Sequence, residues 1–252
     1  MPNLARQPLR PSTLARETQG SLPEPKLRLP EVVIARALGA YLGWVARSSK
    51  WAWVDSRGQG VDSDDVGRRF TGLARRGQAL LLSYYIADAL GVASLAFMDA
   101  EFLRSMRTLR CLVDDTVAGR VSGLLISRLG GRYALLPRLG DPDRLRAVHG
   151  VMTEGGSYAF PVDGGGPYCQ VGTGVIGLAE SLSAVIVPLS VRGVPAATFA
   201  PQSKVRVPLP SCRLVAAMGD EIRILPGDNR RAAAAALRGA LDGLSVTVRN
   251  AF

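Results

Sequence analysis

The sequence has little of what several common functional classes require. It contains three cysteines and one histidine in 252 residues. Cys111, Cys169 and Cys212 are too few and too widely spaced for a disulfide framework or a zinc site, so we expect them to be reduced. Aromatic residues make up only 6% of the chain. Since neither an aromatic RNA-binding motif nor a basic helix is present, we expect no nucleic-acid partner. Because the cysteines lack zinc spacing, we also expect no metal site.

Acidic residues are also in short supply, and the formal net charge is +10. Such a balance favours anionic partners, and anionic lipid headgroups fit it once nucleic acid is set aside. The excess comes from arginine rather than from lysine runs, which is equally typical of a GC-rich genome. The net charge therefore indicates that the partner is negatively charged and does not identify it.

Long apolar runs are absent as well, because no eighteen consecutive residues are apolar and uncharged. Residues 1–29 are rich in proline and polar residues, contain no signal-peptide core, and are predicted to be a disordered tail. From Pro30 an apolar helical pattern begins and continues to Val45. Its wide apolar face is compatible with packing on a core and with lying in a membrane interface. Residues 30–252 are predicted to form one domain.

Within that domain, apolar segments of strand length alternate with helical patterns and glycine-rich turns. This alternation predicts an α/β domain with a single mixed, mostly parallel sheet flanked by helices, preceded by the N-terminal amphipathic helix. A helix is predicted around Glu101–Met106. The predicted strands are Gln78–Tyr85, Ser94–Met98, Leu109–Val113, Arg132–Leu136, Tyr158–Val162, Val185–Val191 and Arg213–Met218.

The stretch from Gly155 to Val191 has the layout of a ligand site. An apolar strand ends on Asp163, and a loop of three glycines and a proline follows, then a short helical pattern and a second apolar strand. In α/β proteins the loops at the carboxyl ends of strands carry the binding residues. We therefore expect the site to be built around Gly164, Gly165, Gly166 and Pro167 together with Asp163.

Two other motifs allow different interpretations. Gly172-Thr-Gly-Val-Ile-Gly177 matches the dinucleotide pattern GxGxxG, and Arg192 would suit the 2′-phosphate of NADP. The residues before it make a poor strand, so a loop packed closely on the sheet is the other interpretation. The only histidine, His149, lies in a predicted helix from Leu145 to Thr153, where a surface or core role is more common than catalysis.

The order of features from about Ala79 to Glu221 resembles the lysophospholipid acyltransferase superfamily, in a bacterial branch with an Asp-Gly-Pro-Arg-Gly-Pro-type loop. The branch has Trp-His at the end of a strand, an Asp-Gly element, an Arg-Gly turn, the acid-glycine loop and a strand ending in Pro-Val. The matching segments here are Tyr84-Tyr85, Asp114 to Gly119, Arg138 to Gly140, Pro161 to Pro167 and Ile186 to Pro188.

The resemblance implies transfer of an acyl group from acyl-CoA or acyl carrier protein, as donor substrate, to a hydroxyl of an anionic lipid. It implies no cofactor and a cytoplasmic protein that is peripheral on the inner membrane. Arg138 and Gly140 would bind the phosphate, and Asp163 with its glycines would shape the loop. Tyr85 stands where the superfamily has its histidine base, and Asp88 follows on the next turn. Because tyrosine is a poor base, a non-catalytic lipid-binding or acyl-carrier-binding module remains the alternative.

Overall fold

The structure is a computed structural model. It describes residues 28–75, 79–137, 141, 147–148, 150–151, 157–163, 168–199 and 204–252. The predicted tail up to residue 27 and most of the helix predicted around His149 lie outside these ranges. The helices are α1 (Leu29–Ser48), α2 (Ser63–Arg75), α3 (Ala89–Met98), α4 (Ala100–Thr108), α5 (Val117–Arg128), α6 (Thr173–Ser181) and α7 (Arg230–Asn250).

The strands form one mixed sheet in the order β2-β1-β8-β7-β3-β6-β4-β5, with β9 against β7. Five neighbouring pairs are parallel and three are antiparallel. This confirms the predicted fold class. The strands are β1 (Lys50–Val54), β2 (Gly60–Val61), β3 (Leu80–Tyr84), β4 (Leu109–Asp114), β5 (Arg132–Leu136), β6 (Ser157–Pro161), β7 (Val185–Phe199), β8 (Val205–Met218) and β9 (Ile222–Arg223).

Both faces of the sheet are covered by helices. Leu80 and Leu82 point into a core shared with α1 to α4, and the intervening Leu81 points into a second core beneath α6 and α7. A strand buried on both sides is apolar at every position, which is why β3 reads as a continuous apolar run. The carboxyl ends of β3, β4, β5 and β6 therefore meet at one edge of the sheet.

One predicted strand was wrong. Residues Ser94–Met98 belong to α3, which follows a 3₁₀ turn at Ile86–Asp88. Asp99 then ends α3 and caps α4, because its Oδ1 accepts hydrogen bonds from the backbone N–H groups of Glu101 (2.9 Å) and Phe102 (3.0 Å). An apolar run of five residues fits a buried helix as well as a buried strand. The helix predicted at Glu101–Met106 is confirmed as part of α4.

The proline-rich region between Val194 and Ser211 lies between the predicted strands Val185–Val191 and Arg213–Met218 and was assigned to neither. It contains the ends of two long antiparallel strands, β7 and β8, whose register shifts between Val194 and Ala196. The distal part of this hairpin reaches α1, where the Tyr41 hydroxyl donates a 2.8 Å hydrogen bond to the Pro208 carbonyl. It also reaches the end of β3, where Arg206 contacts Asp88.

Candidate functional site

A large cavity lies at the carboxyl edge of the sheet. Its volume is about 1160 Å³, which exceeds the ~300–1,000 Å³ of ordinary small-molecule pockets. It extends between the sheet and helices α3, α4 and α5, whose side chains make its walls mostly aliphatic. An apolar ligand of considerable size fits such a space. The aliphatic lining includes Leu90, Ala93, Ala96, Leu103, Met106, Leu125, Ile126 and Leu129.

Asp163 lies in the wall of this cavity, directly after β6. Its side chain is buried, and each carboxylate oxygen accepts one backbone hydrogen bond. Oδ1 accepts from the N–H of Ile86 at 2.7 Å, and Oδ2 accepts from the N–H of Cys169 at 2.7 Å. The carboxylate thus joins the end of β6 to the turn after β3 and to the loop that leads into α6. These contacts position the backbone of the cavity wall.

Tyr84 and Tyr85 point to opposite sides of β3. Tyr84 lines the cavity, whereas Tyr85 packs in the core beneath α7, where its hydroxyl donates a 2.9 Å hydrogen bond to Oδ1 of Asp242. Burial, followed by the bonded carboxylate of Asp242, raises the pKa of the Tyr85 phenol. Burial also raises the pKa of Tyr84. Both phenols are therefore protonated at neutral pH and can donate a hydrogen bond.

Asp88 faces a third direction, toward the β7–β8 hairpin. One oxygen, Oδ2, accepts from Ser190 Oγ at 2.7 Å and from the N–H of Val191 at 3.2 Å, and Oδ1 lies 3.3 Å from Nη1 of Arg206. Its pKa is raised, because burial outweighs these hydrogen bonds and the nearby arginine charge. The structure thus places Tyr85, Asp88 and Asp163 around the end of β3 with only Asp163 in the cavity lining.

The residues predicted to bind the substrate lie outside the described ranges. These are Arg138, Gly140, Gly164, Gly165, Gly166 and Pro167. Asp141 and Asp163, which directly adjoin these segments, both line the cavity. The predicted substrate-binding roles remain predictions.

The Asp-Gly element after β4 forms another part of the wall. Asp114, Thr116 and Gly119 all line the cavity. A Cβ at Gly119 would lie 1.9 Å from the carbonyl oxygen of Asp114, so only glycine permits this approach. Thr116 caps α5 by accepting a 3.0 Å hydrogen bond from the N–H of Gly119. The glycine and the cap together fix the turn from β4 into α5.

Arg120 follows the glycine of this element and bonds to two carboxylates. Its guanidinium lies 2.8 Å from Oε1 of the buried Glu31 in α1, and it also pairs with Asp115. Hydrogen bonds and charge from Arg28 and Arg120 outweigh burial and lower the pKa of Glu31. This contact attaches α1 to α5 beside the cavity, and the long sequence separation left no signal by which to predict it.

The glycine pattern at Gly172 to Gly177 forms the start of α6 on the cavity wall. β6 ends at Pro161, so the motif does not directly follow a strand as the dinucleotide fingerprint requires. Arg192 lies in the middle of β7 and is not part of the lining. The two features behind the NADP interpretation are therefore not combined in this cavity.

Few side chains in the described cavity lining are available as a nucleophile, a cation or a metal ligand. Burial raises the pKa of the Cys111 thiol to about 12, so it is not a ready nucleophile. Arg107 donates to the Leu129 carbonyl and Arg230 pairs with Glu180. Among the described residues no group of three or more His, Cys, Asp or Glu side chains could hold a metal ion.

The lining contributed by α3 was missed in the sequence. Ala89, Ala93 and Ala96 all face the cavity, and their three- and four-residue spacing places them on one side of the helix. Small side chains along one face leave room for a ligand between the helix and the sheet. That spacing was the available signal, and assigning Ser94–Met98 to a strand concealed it.

Comparisons with known proteins were made for the whole chain. No protein-family model matches it, and no curated protein matches it. Among solved structures it is similar to the crystal structure of the 1-acyl-sn-glycerophosphate (LPA) acyltransferase PlsC from Thermotoga maritima. The identity is 10%, the TM-score is 0.46, and the match covers 87% of this chain and 84% of that chain. At this identity and TM-score, the activity has to be argued from the residues of this chain.

Proposed function

We propose that this chain is an acyltransferase-like protein that binds a lysophospholipid or a related anionic lipid with the acyl chain in the cavity. The observation that carries the proposal is the large, aliphatic cavity whose wall at the carboxyl edge of the sheet includes Asp163. Each methylene buried there contributes about 0.8 kcal/mol. The resemblance in motif order supports the same ligand class.

The polar end of the lipid would lie at the carboxyl edge of the sheet. Thr116 and Asp163 line the cavity there, beside the start of α6. The resemblance assigns Arg138 and Gly140 to the phosphate, and we propose that Gly164 to Pro167 also belong to the substrate-binding set. Guanidinium groups suit this role because they donate two parallel hydrogen bonds to phosphate oxygens.

The surface of α1 supports access from a membrane. Val33, Ile34 and Trp44 are 55%, 48% and 53% exposed. Among the described residues, α1 is the helix with the length and composition needed to cross a membrane, and 28% of that window is buried. Leu38 on the same helix lines the cavity. We infer that α1 lies in the interface of an anionic membrane, on its cytoplasmic side, and leads lipid to the cavity.

Catalysis would transfer an acyl group from a thioester to the lipid hydroxyl. The carbonyl carbon forms an ester bond to oxygen, its bond to sulfur breaks, and the hydroxyl proton ends on the released thiol. A base must take that proton, and Tyr85 and Asp88 are the residues proposed for it. The hydroxyl of Tyr85 is committed to Asp242, and both oxygens of Asp88 are engaged.

That engagement favours the second candidate, a binding module without turnover. Purified protein is therefore incubated with lysophosphatidic acid and acyl-CoA or acyl carrier protein, and free thiol is measured beside lysolipid binding. Turnover that Tyr85→Phe or Asp88→Asn abolishes identifies an enzyme. Binding without thiol release identifies the module. Absence of both lysolipid binding and thiol release contradicts the proposal.

A further inference from the structure

A cluster of arginines lies on the α7 side of the β7–β8 hairpin, apart from the cavity. Ser190 and Arg192 are two residues apart in β7, so both side chains point to the same face. Ser245 and Arg249 are one turn apart on α7. The hydroxyls of Ser190 and Ser245 lie 3.4 Å apart, so the strand and the helix bring these two rows together.

Arg206 completes the cluster from β8. Its Nη1 lies 3.3 Å from Oδ1 of the buried Asp88, whose other oxygen accepts from Ser190. Arg192 has a lowered pKa through partial burial and then through the charges of Arg206 and Arg249. The guanidiniums of Arg206 and Arg249 thus both act on that of Arg192, and Asp88 compensates one of the three charges.

The remaining positive charge has no local counterpart. Within the described part of the chain, Arg192 and Arg249 make no hydrogen bond or ion pair. Two guanidiniums supply flat arrays of donors, and the Ser245 hydroxyl is half-buried beside them. An anion with several acceptor oxygens and about two negative charges would match this set, and a phosphate group has both properties.

We propose that Arg192, Arg206 and Arg249, with the hydroxyl of Ser245, bind a phosphate group at a site separate from the cavity. None of these residues lines the cavity. The phosphate site therefore does not depend on the function proposed for the cavity. The phosphate can belong to a soluble phosphomonoester or to a lipid headgroup, and the experiment distinguishes these two sources.

Inorganic phosphate is the first probe, with chloride at matched ionic strength as the reference. Phosphate several-fold above its Kd should raise the Tm of the full chain by about 2–4 °C. The double variant Arg192→Ala/Arg249→Ala should lose this shift, with binding weakened about tenfold for each guanidinium removed. Arg192→Lys/Arg249→Lys keeps the charge but loses the paired donors, and should retain only part of the shift.

The matched control is Arg213→Ala/Arg231→Ala, which also removes two charges from exposed positions, one on β8 and one on α7. It should keep the phosphate shift. Phosphatidylcholine vesicles with and without phosphatidic acid are the second probe. Loss of acidic-vesicle binding in the cluster variant, but not in the control, assigns a lipid source. Loss of the phosphate shift alone assigns a soluble one. If Arg192→Ala/Arg249→Ala and Arg213→Ala/Arg231→Ala behave alike toward phosphate and vesicles, the proposal is wrong.

Discussion

The hydroxyl of Tyr85 lies 2.9 Å from Oδ1 of Asp242, so the residue that follows β3 is hydrogen-bonded to the C-terminal helix α7. Tyr85 is buried among residues beneath that helix, while its neighbour Tyr84 faces the cavity. The raised pKa of the Tyr85 phenol keeps it a hydrogen-bond donor at neutral pH. In this arrangement Tyr85 joins the carboxyl end of β3 to α7.

Tyr85→Phe removes that hydroxyl and leaves the ring in place. We expect the free energy of unfolding to fall by about 1 kcal/mol, since the partner Asp242 is half exposed and can be hydrated. Lysolipid affinity should be unchanged, and so should any thiol release if Tyr85 serves the fold alone. Urea denaturation measures the free energy of unfolding, and a displacement assay measures lysolipid affinity. Asp242→Asn, which keeps an acceptor, is the control. Loss of thiol release at unchanged stability would instead support a catalytic Tyr85.

Asp163→Asn is a sharper test of the cavity wall than an alanine substitution. Both oxygens of Asp163 accept backbone N–H groups, and an amide replaces one acceptor with a donor. One half-buried N–H of Ile86 or Cys169 then loses its partner, so we expect a loss of about 1–3 kcal/mol in unfolding free energy. Lysolipid affinity should fall with it. Unchanged stability, measured by urea denaturation, would contradict the positioning role.

The contact between Glu31 and Arg120 predicts a dependence of stability on pH. Because the folded pKa of Glu31 is lowered, this carboxylate stabilises the fold above its unfolded pKa of about 4.3. That stabilisation is lost as the pH falls through the folded value. Thermal unfolding between about pH 3 and pH 6 should show a shallower acid dependence in Glu31→Gln. Arg120→Gln should show the same change, and an unaltered acid limb in both variants would be the contrary result.

Ile34→Glu tests the membrane role of α1. Ile34 is 48% exposed, so a charge there disturbs the exposed apolar face rather than the core. Binding to vesicles that contain anionic lipid should weaken about tenfold or more, because an apolar side chain is lost from the interface. Val246→Glu on α7 is the matched control, since Val246 is 49% exposed. Equal weakening in the two variants, measured by vesicle co-sedimentation, would remove α1 from the contact.

The sheet could be predicted from the sequence because buried parallel strands appear as apolar runs. The strands at Leu109–Val113 and Arg132–Leu136 lie within β4 and β5 as predicted. The prolines beyond Val194 obscured the long hairpin, whereas Pro188 lies within the predicted strand Val185–Val191 and in the middle of the sheet, between the β3 residue Ser83 and the N–H of Gly219. Its carbonyl still accepts a hydrogen bond, and its missing N–H is the usual reason to exclude proline from such a strand.

The candidate site was less accessible to prediction than the fold. Asp163 could be found because an acid followed by glycines marks the end of a strand. Which of Tyr84 and Tyr85 faces the cavity depends on the register of β3 within the sheet, which the sequence alone does not specify. The cavity is assembled from α3, α4 and α5, and packing between distant segments leaves no local pattern.

The central claim is that the cavity binds the acyl chain of a lipid, and a matched pair of α5 variants tests it most directly. Ser122 and Ser127 are both exposed on this helix, but only Ser122 lines the cavity. Titration with a fluorescent lysophosphatidic acid should show binding to the wild type and to Ser127→Trp. In Ser122→Trp, whose indole would occupy the cavity opening, affinity should fall about tenfold or more, since buried acyl methylenes are displaced. Equal affinity in the two tryptophan variants would contradict the account.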